Sequence, residues 1–336
     1  MSDATHESAV TMAPLFPGGK LPLLVQPAPG NKVDLCAWVA ANRGPIEQRL
    51  MDHGGILFRN FGLDGPGHLE SFITAFSGDP LPYRERSSPR TKISGNVYTS
   101  TEHPATQHIF LHNENSYQGT WPLKIFFLCV VPPEQGGETP IADCRRILRR
   151  IDPQIRERFR EKGFRIVRNF SGLMGLPWET VFQTRDRAEV ETYCREHGIQ
   201  SEWKADGGLR TTTLRPALAV HPKTGGETWF NHGTFFHVTT LDPELSEVLT
   251  ACMPEEDLPT NTYYGDGSAI EKEVLEALRD AYRRETVSFP WQQGDLMVLD
   301  NMLTAHGRAP FKGKRTIAVG MSEPISSHGG AEAGLG

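Results

Sequence analysis

The chain has 336 residues, with 35 lysines and arginines against 41 aspartates and glutamates and a formal net charge of −6. Its basic residues are scattered rather than grouped, so nucleic acid and anionic membranes are excluded as expected partners. The longest apolar run, 125–131, is far too short to cross a bilayer and indicates a buried strand.

Cysteine usage and the amino terminus both predict a cytoplasmic protein. The five cysteines include no Cys-x-x-Cys pair, and an odd number of this kind fits free thiols in a reducing compartment. The first residues, from Met1 to Glu7, lack a basic region followed by an apolar one, so we expect no secretory signal.

Strand and helix patterns follow one another along most of the chain. The predicted helices span 45–53, 66–76, a part of 139–165 that Asp152-Pro153 interrupts, 187–197, and a stretch that runs from a capping box at 268–271 to 284. The predicted strands span 56–61, 125–131, 295–300 and 315–321. A hairpin is predicted over 217–231. Many short strands with inserted helices predict a mostly β fold of the sandwich or jelly-roll kind.

The two ends of the chain differ from the middle in composition. Residues 1–20 are polar and hold a Gly18-Gly19 pair, and 325–336 are small and rich in glycine, so we predict flexible termini. No linker divides 21–324, which we therefore assign to a single domain.

A possible metal site is the most informative pattern. In an extended segment residues two apart point to the same face, so His112 and Glu114 can reach one ion, and the distant His306 would complete the set. Two imidazoles and one carboxylate suit Fe(II) oxygen chemistry, since they leave coordination positions open. The other His-x-Glu pair, His68 and Glu70, lies in a helical pattern, where residues two apart diverge and cannot share a metal ion.

The sequence resembles the Fe(II)/2-oxoglutarate dioxygenases of the TauD/TfdA family, and more closely the SyrP-like branch of amino-acid hydroxylases. The resemblance covers roughly residues 30–322, in consistent order. The matching segments are 98–102, 112–114, 136–143, 229–231, 263–267 and 289–308.

This resemblance implies a double-stranded β-helix (jelly-roll) core with Fe(II) bound by His112, Glu114 and His306. It also implies that 2-oxoglutarate is the cosubstrate, that its far carboxylate rests on Thr139 and Arg315, and that O2 is the oxidant. The residue chemistry agrees, because an arginine offers a planar fork to a carboxylate and a hydroxyl can donate a further bond. No catalytic residue beyond the metal ligands is expected.

Two positions narrow the expected chemistry. The related halogenases have alanine or glycine where this chain has the carboxylate of Glu114, so hydroxylation is favoured over chlorination. The taurine enzyme has a second arginine four residues beyond the cosubstrate arginine, and this chain has Val319 there, which disfavours sulfonate substrates.

The resemblance points to an amino acid or its derivative as substrate, either free or tethered to a carrier protein, in natural-product biosynthesis. The candidate substrate residues are Arg86, which lies in a basic cluster with Arg84 and Arg90, and Asn115, Asn231 and Arg308. Of the other histidines, His221 is expected to face solvent, whereas His232 and His237 could lie in the core or in the pocket.

Three alternatives stay open at this stage. The same iron chemistry could perform desaturation or cyclisation instead of hydroxylation. The chain could be a non-catalytic binding or regulatory member of a biosynthetic cluster, although such a protein has no need of the three ligands together with Thr139 and Arg315. A zinc hydrolase would need a general base beside the metal-bound water and has no use for a cosubstrate arginine.

Overall fold

The structure, a computed structural model, describes residues 9–82, 92–100, 103–170 and 175–326. Arg84, Arg86 and Arg90 lie outside the described residues. The strands are β1 (Val10–Pro14), β2 (Leu23–Pro27), β3 (Gly55–Phe58), β4 (Lys92–Ser94), β5 (Val97–Thr99), β6 (Ile109–His112), β7 (Thr120–Val131), β8 (Gln135–Gly136), β9 (Ile141–Asp143), β10 (Phe164–Phe170), β11 (Ile199–Trp203), β12 (Leu209–Arg215), β13 (Leu218–Val220), β14 (Glu227–Trp229), β15 (Thr260–Tyr264), β16 (Thr286–Val287), β17 (Leu296–Asp300), β18 (Thr304–Arg308), β19 (Phe311–Lys312) and β20 (Thr316–Ser326). The helices are α1 (Leu35–Ala41), α2 (Arg43–His53), α3 (Pro66–Ser77), α4 (Cys144–Arg150), α5 (Pro153–Lys162), α6 (Trp178–Phe182), α7 (Arg187–Glu196), α8 (Pro243–Cys252) and α9 (Lys272–Glu285).

Two sheets form the core of the fold. The larger has the strand order β1-β2-β3-β17-β7-β20-β5-β4, and the smaller has the order β16-β9-β18-β6. Their neighbouring strands are antiparallel except for the parallel pair β2 and β3. A further four-stranded sheet has the order β11-β12-β10-β15. Its strands lie in the stretch of chain between β9 and β16 of the smaller sheet. This is the predicted mostly β fold with inserted helices.

The central strands of the larger sheet, β3, β17 and the middle of β7, are buried on both faces. Helices α1 to α3 cover one face, where Phe58 and Phe126 pack among Phe72 and other apolar side chains. Alternate residues of the same strands point the other way, so Phe127 and Leu299 pack in a second cluster with Ile141 of the smaller sheet. The two sheets therefore pack face to face in the jelly-roll arrangement, and the candidate active site described below lies between them.

Most predicted elements are confirmed, with three corrections. Strand β1 pairs with β2 along its whole length, so residues 10–14 of the terminus expected to be flexible belong to the sheet. Strand β20 extends to Ser326, so the first two residues of the predicted tail, 325 and 326, belong to the sheet. The predicted capping box is wrong: the hydroxyl of Ser268 is hydrogen-bonded to Asp266, and helix α9 begins only at Lys272.

Among the described residues, no helix is both long and apolar enough to cross a membrane.

Candidate active site

Three side chains meet between β6 and β18, two from neighbouring positions in the chain and one from almost two hundred residues further on. His112 ends β6, and His306 lies directly opposite it in the antiparallel register. Glu114 follows two residues after His112, and its Oε2 is 3.5 Å from Nε2 of His306. The possible ligand atoms of the three side chains all lie within 4.8 Å of one another. The predicted grouping of His112, Glu114 and His306 is therefore present.

Hydrogen bonding and packing orient the two imidazoles. Nδ1 of His112 lies 2.9 Å from the carbonyl oxygen of Phe110, and a proton on Nδ1 donated there leaves Nε2 as the ligand atom. Nδ1 of His306 is buried without a hydrogen-bond partner among the described residues. The ring of His306 instead packs against those of His112 and Phe127, with centroid distances of 4.6 and 5.2 Å.

Asn301 fixes the carboxylate ligand through the backbone. Its Oδ1 accepts a hydrogen bond from the backbone N–H of Glu114 at 2.7 Å, and its Nδ2 donates to the carbonyl oxygen of Glu114 at 2.9 Å. The same Nδ2 donates to the carbonyl oxygen of Pro122. Asn301 lies in the tight turn between β17 and β18, so one turn positions both Glu114 and the strand that carries His306.

Gly307 permits the close approach of β18 to β6. A Cβ at this position would lie 2.6 Å from the carbonyl oxygen of Ile109, closer than real side chains come to backbone atoms. The strand register shifts between His306 and Arg308 at this point. A side chain at residue 307 would push β18 away from β6 and separate the two histidines.

A cavity lined by the two histidine ligands also contains the predicted cosubstrate residues. Arg315 donates from Nε to the carbonyl oxygen of Gly137 at 2.8 Å, from Nη1 to Ser100 Oγ at 3.1 Å, and from Nη2 to Thr139 Oγ1 at 3.4 Å. Trp291 also donates to Thr139 Oγ1, at 3.2 Å. The cavity is lined by Ser100, Ile109, His112, Phe127, Thr139, His306, Gly307, Arg308, Arg315 and Val319.

The environment of Arg315 is that of a partly enclosed cation. Burial lowers the pKa of Arg315 to about 10, with a contribution from the positive charge of Arg308, so the side chain is still charged at neutral pH. Its three contacts use three of the five N–H donors of a guanidinium and hold the plane of the group. A carboxylate entering the cavity would therefore meet an oriented positive charge.

A second layer of rings lies behind His112. The ring of His232 is 5.3 Å from that of His112, and its Nδ1 is 2.6 Å from the hydroxyl of Ser116. Burial lowers the pKa of His232 well below its ordinary value, and the neighbouring His112 lowers it further, so His232 is neutral. The ring of Phe235 lies 4.5 Å from that of His112. The sequence left open whether His232 lies in the core or in the pocket. Its side chain is buried, and it lies directly beside the proposed metal ligand His112.

The structure distinguishes the candidate substrate residues by the hydrogen bonds that their side chains make. Arg308 donates to the backbone carbonyl oxygens of His103, Pro104 and Gln107, so its guanidinium holds that loop. Asn231 donates to a carbonyl oxygen and accepts from a backbone N–H, so its amide supports a turn. Oδ1 of Asn115 is buried without a hydrogen-bond partner among the described residues. Asn115 therefore keeps a candidate polar atom beside Glu114.

The expectation that His221 faces solvent is wrong. Its side chain is fully buried, and its Nε2 is 2.9 Å from Oδ2 of Asp300. Asp300 also accepts from the backbone N–H groups of Met302 and Leu303 and so forms the turn that contains Asn301. Sequence reasoning placed His221 in a Pro/Gly turn and had no signal for a partner 79 residues away.

The donor set fits a divalent metal with open positions. Two imidazole nitrogens from neighbouring strands and one carboxylate from the turn after β6 leave the opposite side of an ion accessible, as Fe(II) oxygen chemistry requires. Closed structural zinc sites instead have four protein ligands. Glu114 and His306 are nearly inaccessible to water, at 2 and 5% exposure, and buried ligands of this kind are costly unless a cation compensates them.

Comparison with known proteins assigns the chain to a family. Residues 20–321 match the model of the taurine catabolism dioxygenase TauD, TfdA family. The chain belongs to this family. It is an Fe(II)/2-oxoglutarate-dependent dioxygenase, with the three-residue cluster in place.

Individual relatives extend this comparison. The dapdiamide synthesis protein DdaC of Enterobacter agglomerans is 41% identical over 281 residues, covering 84% of this chain and 85% of DdaC. The clavaminate synthase-like protein At3g21360 of Arabidopsis thaliana is 28% identical over 287 residues, covering 82% of this chain and 83% of that protein. The PvcB protein of Pseudomonas aeruginosa has the same fold, with a TM-score of 0.57, 17% identity and coverage of 96 and 95% of the two chains.

Proposed function

We propose that this TauD/TfdA dioxygenase hydroxylates an aliphatic C–H group of an amino acid or amino-acid-derived small molecule in natural-product biosynthesis. The observation that carries the proposal is one cavity lined by His112, His306, Arg315 and Thr139, where the possible ligand atoms of the two histidines lie within 4.8 Å of that of Glu114. The 41% identity to a dapdiamide synthesis protein supports the biosynthetic setting. Membership of the SyrP-like branch belongs to the same proposal, and so does a substrate that is either free or tethered to a carrier protein.

In this proposal the chain supplies three ligands and a carboxylate clamp. His112, Glu114 and His306 would bind Fe(II), and Arg315 with Thr139 would bind the far carboxylate of 2-oxoglutarate through charge-assisted hydrogen bonds. With the cosubstrate and O2, bound iron supplies the oxidising chemistry, and succinate and CO2 are released. PvcB, of the same fold, is described as an Fe, alpha-ketoglutarate dependent oxygenase.

The remaining residues position the substrate and exclude water. The rings of Phe127 and Phe235 lie against the two histidines and make the walls of the site apolar. Asn301 prevents Glu114 from swinging away from the ligand position, since it holds that residue's backbone on both sides. An apolar wall beside fixed ligands favours oxidation of the bound C–H group over idle consumption of 2-oxoglutarate.

A substrate screen tests the proposal. The purified chain with Fe(II), 2-oxoglutarate and O2 is offered free amino acids, their derivatives and carrier-bound aminoacyl groups, while succinate and products are measured. We expect one substrate class to release succinate together with a product that has gained one oxygen atom. A product that has instead lost two hydrogen atoms would indicate desaturation or cyclisation, and no succinate formation, with or without any of the substrates, would favour the non-catalytic alternative.

A further inference from the structure

His221 and Asp300 form a buried pair behind the turn that orients the carboxylate ligand. His221 is fully buried and Asp300 is 2% exposed, and Nε2 of the histidine lies 2.9 Å from Oδ2 of the aspartate. His221 directly follows β13, whereas Asp300 ends β17. A buried carboxylate is costly unless hydrogen bonds satisfy it, so the donors to Asp300 determine whether it keeps its position.

The backbone of the turn between β13 and β14 fixes which nitrogen of His221 has the proton. The backbone N–H groups of Lys223 and Thr224 donate to Nδ1 of His221, at 3.3 and 3.1 Å. Because Nδ1 accepts these hydrogen bonds, the ring proton lies on Nε2. His221 therefore donates to Asp300, in an orientation that the turn holds.

Asp300 uses its two carboxylate oxygens for two different parts of the chain. Oδ1 accepts from the backbone N–H groups of Met302 and Leu303, both at 3.0 Å, which closes the turn between β17 and β18. Oδ2 accepts from His221, which lies 79 positions earlier in the chain. Without His221, Oδ2 would have no hydrogen-bond donor among the described residues, and the carboxylate would be free to rotate.

The turn that Asp300 closes carries the amide that holds Glu114. Asn301, the next residue, is fully buried and bridges the backbone N–H and the carbonyl oxygen of Glu114. The carbonyl oxygen of Asn301 also accepts from Nδ2 of Asn113, at 2.6 Å. Asn113 lies between the proposed ligands His112 and Glu114, so the turn contacts the backbone that carries two of the three ligands.

We propose that His221 is a positioning residue for the metal centre. Its hydrogen bond to Asp300 holds the turn so that Asn301 places Glu114 for metal binding. The inference rests on the proposed function and deepens it, because it assigns part of the metal affinity to a residue outside the ligand set. His221 is not a ligand in this account and acts through Asp300 and Asn301.

Two substitutions separate the hydrogen bond to Asp300 from the support of the β13–β14 turn. In His221→Gln the side-chain N–H group takes the place of Nε2 and can still donate to Asp300, but the acceptor for the turn is lost. In His221→Asn the side-chain oxygen takes the place of Nδ1 and supports the turn, but the donor to Asp300 is lost. The two variants therefore remove one contact each.

The measurement is the Fe(II) dissociation constant of the full chain, determined anaerobically by calorimetry, with the melting temperature of the metal-free chain recorded in parallel. We expect His221→Asn to weaken Fe(II) binding by about 10-fold, at the lower end of the range for residues that orient metal ligands, and His221→Gln to remain close to the wild type. A role limited to support of the turn predicts the opposite order.

Asp300→Asn breaks the same hydrogen bond from the other side. Its remaining oxygen can accept from the backbone of the β17–β18 turn, while its amide group faces the N–H group of His221. Fe(II) binding should therefore weaken as in His221→Asn, and this variant decides the question if His221→Asn does not fold.

His237 provides the matched control. It is 9% exposed, and its Nδ1 also accepts from a backbone N–H group, that of Thr239 at 3.2 Å. His237→Asn should leave the Fe(II) dissociation constant at the wild-type value. The proposal is overturned by an unchanged constant in His221→Asn or Asp300→Asn, by an equal loss in His237→Asn, or by a loss in His221→Gln as large as that in His221→Asn.

Failure of this inference is distinguishable from failure of the proposed function. A wild-type chain that binds Fe(II) and develops a visible absorption band with 2-oxoglutarate, together with an unchanged constant in His221→Asn, rejects the role of His221 alone. A wild-type chain that binds no Fe(II), or that binds it without developing the band, rejects the proposed function, whatever the variants show.

Discussion

The side-chain amide of Asn301 bridges the backbone N–H and the carbonyl oxygen of Glu114, at 2.7 and 2.9 Å. Glu114 lies in the turn after β6, outside any strand, so its position depends on side-chain contacts of this kind. The turn that carries Asn301 leads directly into the strand that carries His306. One asparagine thus ties the carboxylate ligand to the element that positions the second histidine.

Asn301→Ala should weaken Fe(II) binding by about 10- to 100-fold, the range typical for residues that orient metal ligands. The reason is that Glu114 would lose both backbone restraints while keeping its carboxylate. The measurement is the metal dissociation constant, with the melting temperature recorded in parallel. Asn231→Ala is the control, because Asn231 is equally buried and its amide also bonds backbone groups. Equal metal affinity in the two variants would contradict this role of Asn301.

His112→Ala, Glu114→Ala and His306→Ala should each abolish turnover and leave a folded protein. Each change removes one ligand without opening a cavity in either apolar cluster. The measurement is succinate formation in the presence of 2-oxoglutarate and O2. His68→Ala is the control from the other His-x-Glu pair, whose histidine is half-exposed on α3. Near-wild-type turnover in any of the three variants would remove that residue from the ligand set.

Arg315→Ala should raise the apparent 2-oxoglutarate constant sharply, by about 10- to 100-fold for lost charged hydrogen bonds, and leave iron affinity largely unchanged. Arg315→Lys should rescue poorly, since an ammonium group cannot reproduce the two-pronged contact. The neighbouring exposed Lys314 supplies the control Lys314→Ala. If the constant of Arg315→Ala matches the wild type with iron saturating, another residue such as Arg308 binds the cosubstrate.

The cluster around Glu323 should make stability depend on pH. Burial raises the pKa of Glu323, but hydrogen bonds from Lys124 and Lys223 outweigh it, so the net shift is downward. A carboxyl group with a depressed folded-state pKa stabilises the protein above its unfolded pKa and loses this contribution as pH falls through the folded value. Its partners lie at 2.5 and 2.9 Å.

Glu323→Gln should therefore lower the free energy of unfolding by about 1 kcal/mol at pH 7, since partial exposure reduces the value of the ion pairs. The difference from the wild type should shrink as pH falls below about 4. Chemical denaturation at several pH values measures it. Glu161→Gln, on the surface of α5, should show no such trend, and a Glu323→Gln difference independent of pH would refute the assignment.

The sequence predicted the parts of the site that follow from local geometry and motif order. His112 and Glu114 are two residues apart, although Glu114 lies in the turn after β6 and not in an extended segment as predicted, and His306 has an apolar strand before it and an arginine after it. The apolar run 125–131 likewise predicted the central strand β7. These signals lie within a few residues of the feature that they predict.

The parts that the sequence did not predict depend on contacts between distant residues. His221 is fully buried because Asp300 provides its partner, and neither residue indicates the other. Asn301 appeared only as part of a matching segment, since its hydrogen bonds to Glu114 cross 187 positions. The role of each residue follows from which strands the fold brings together.

Anaerobic titration of the wild-type chain with Fe(II) and 2-oxoglutarate tests the central claim most directly. If His112, Glu114 and His306 bind iron and the cosubstrate chelates it, a weak visible metal-to-ligand charge-transfer band should develop only when both are present, and it should saturate at one equivalent of iron per chain. The band should be absent from His306→Ala and should require more 2-oxoglutarate in Arg315→Ala. A wild-type protein that binds iron without developing the band would contradict the account.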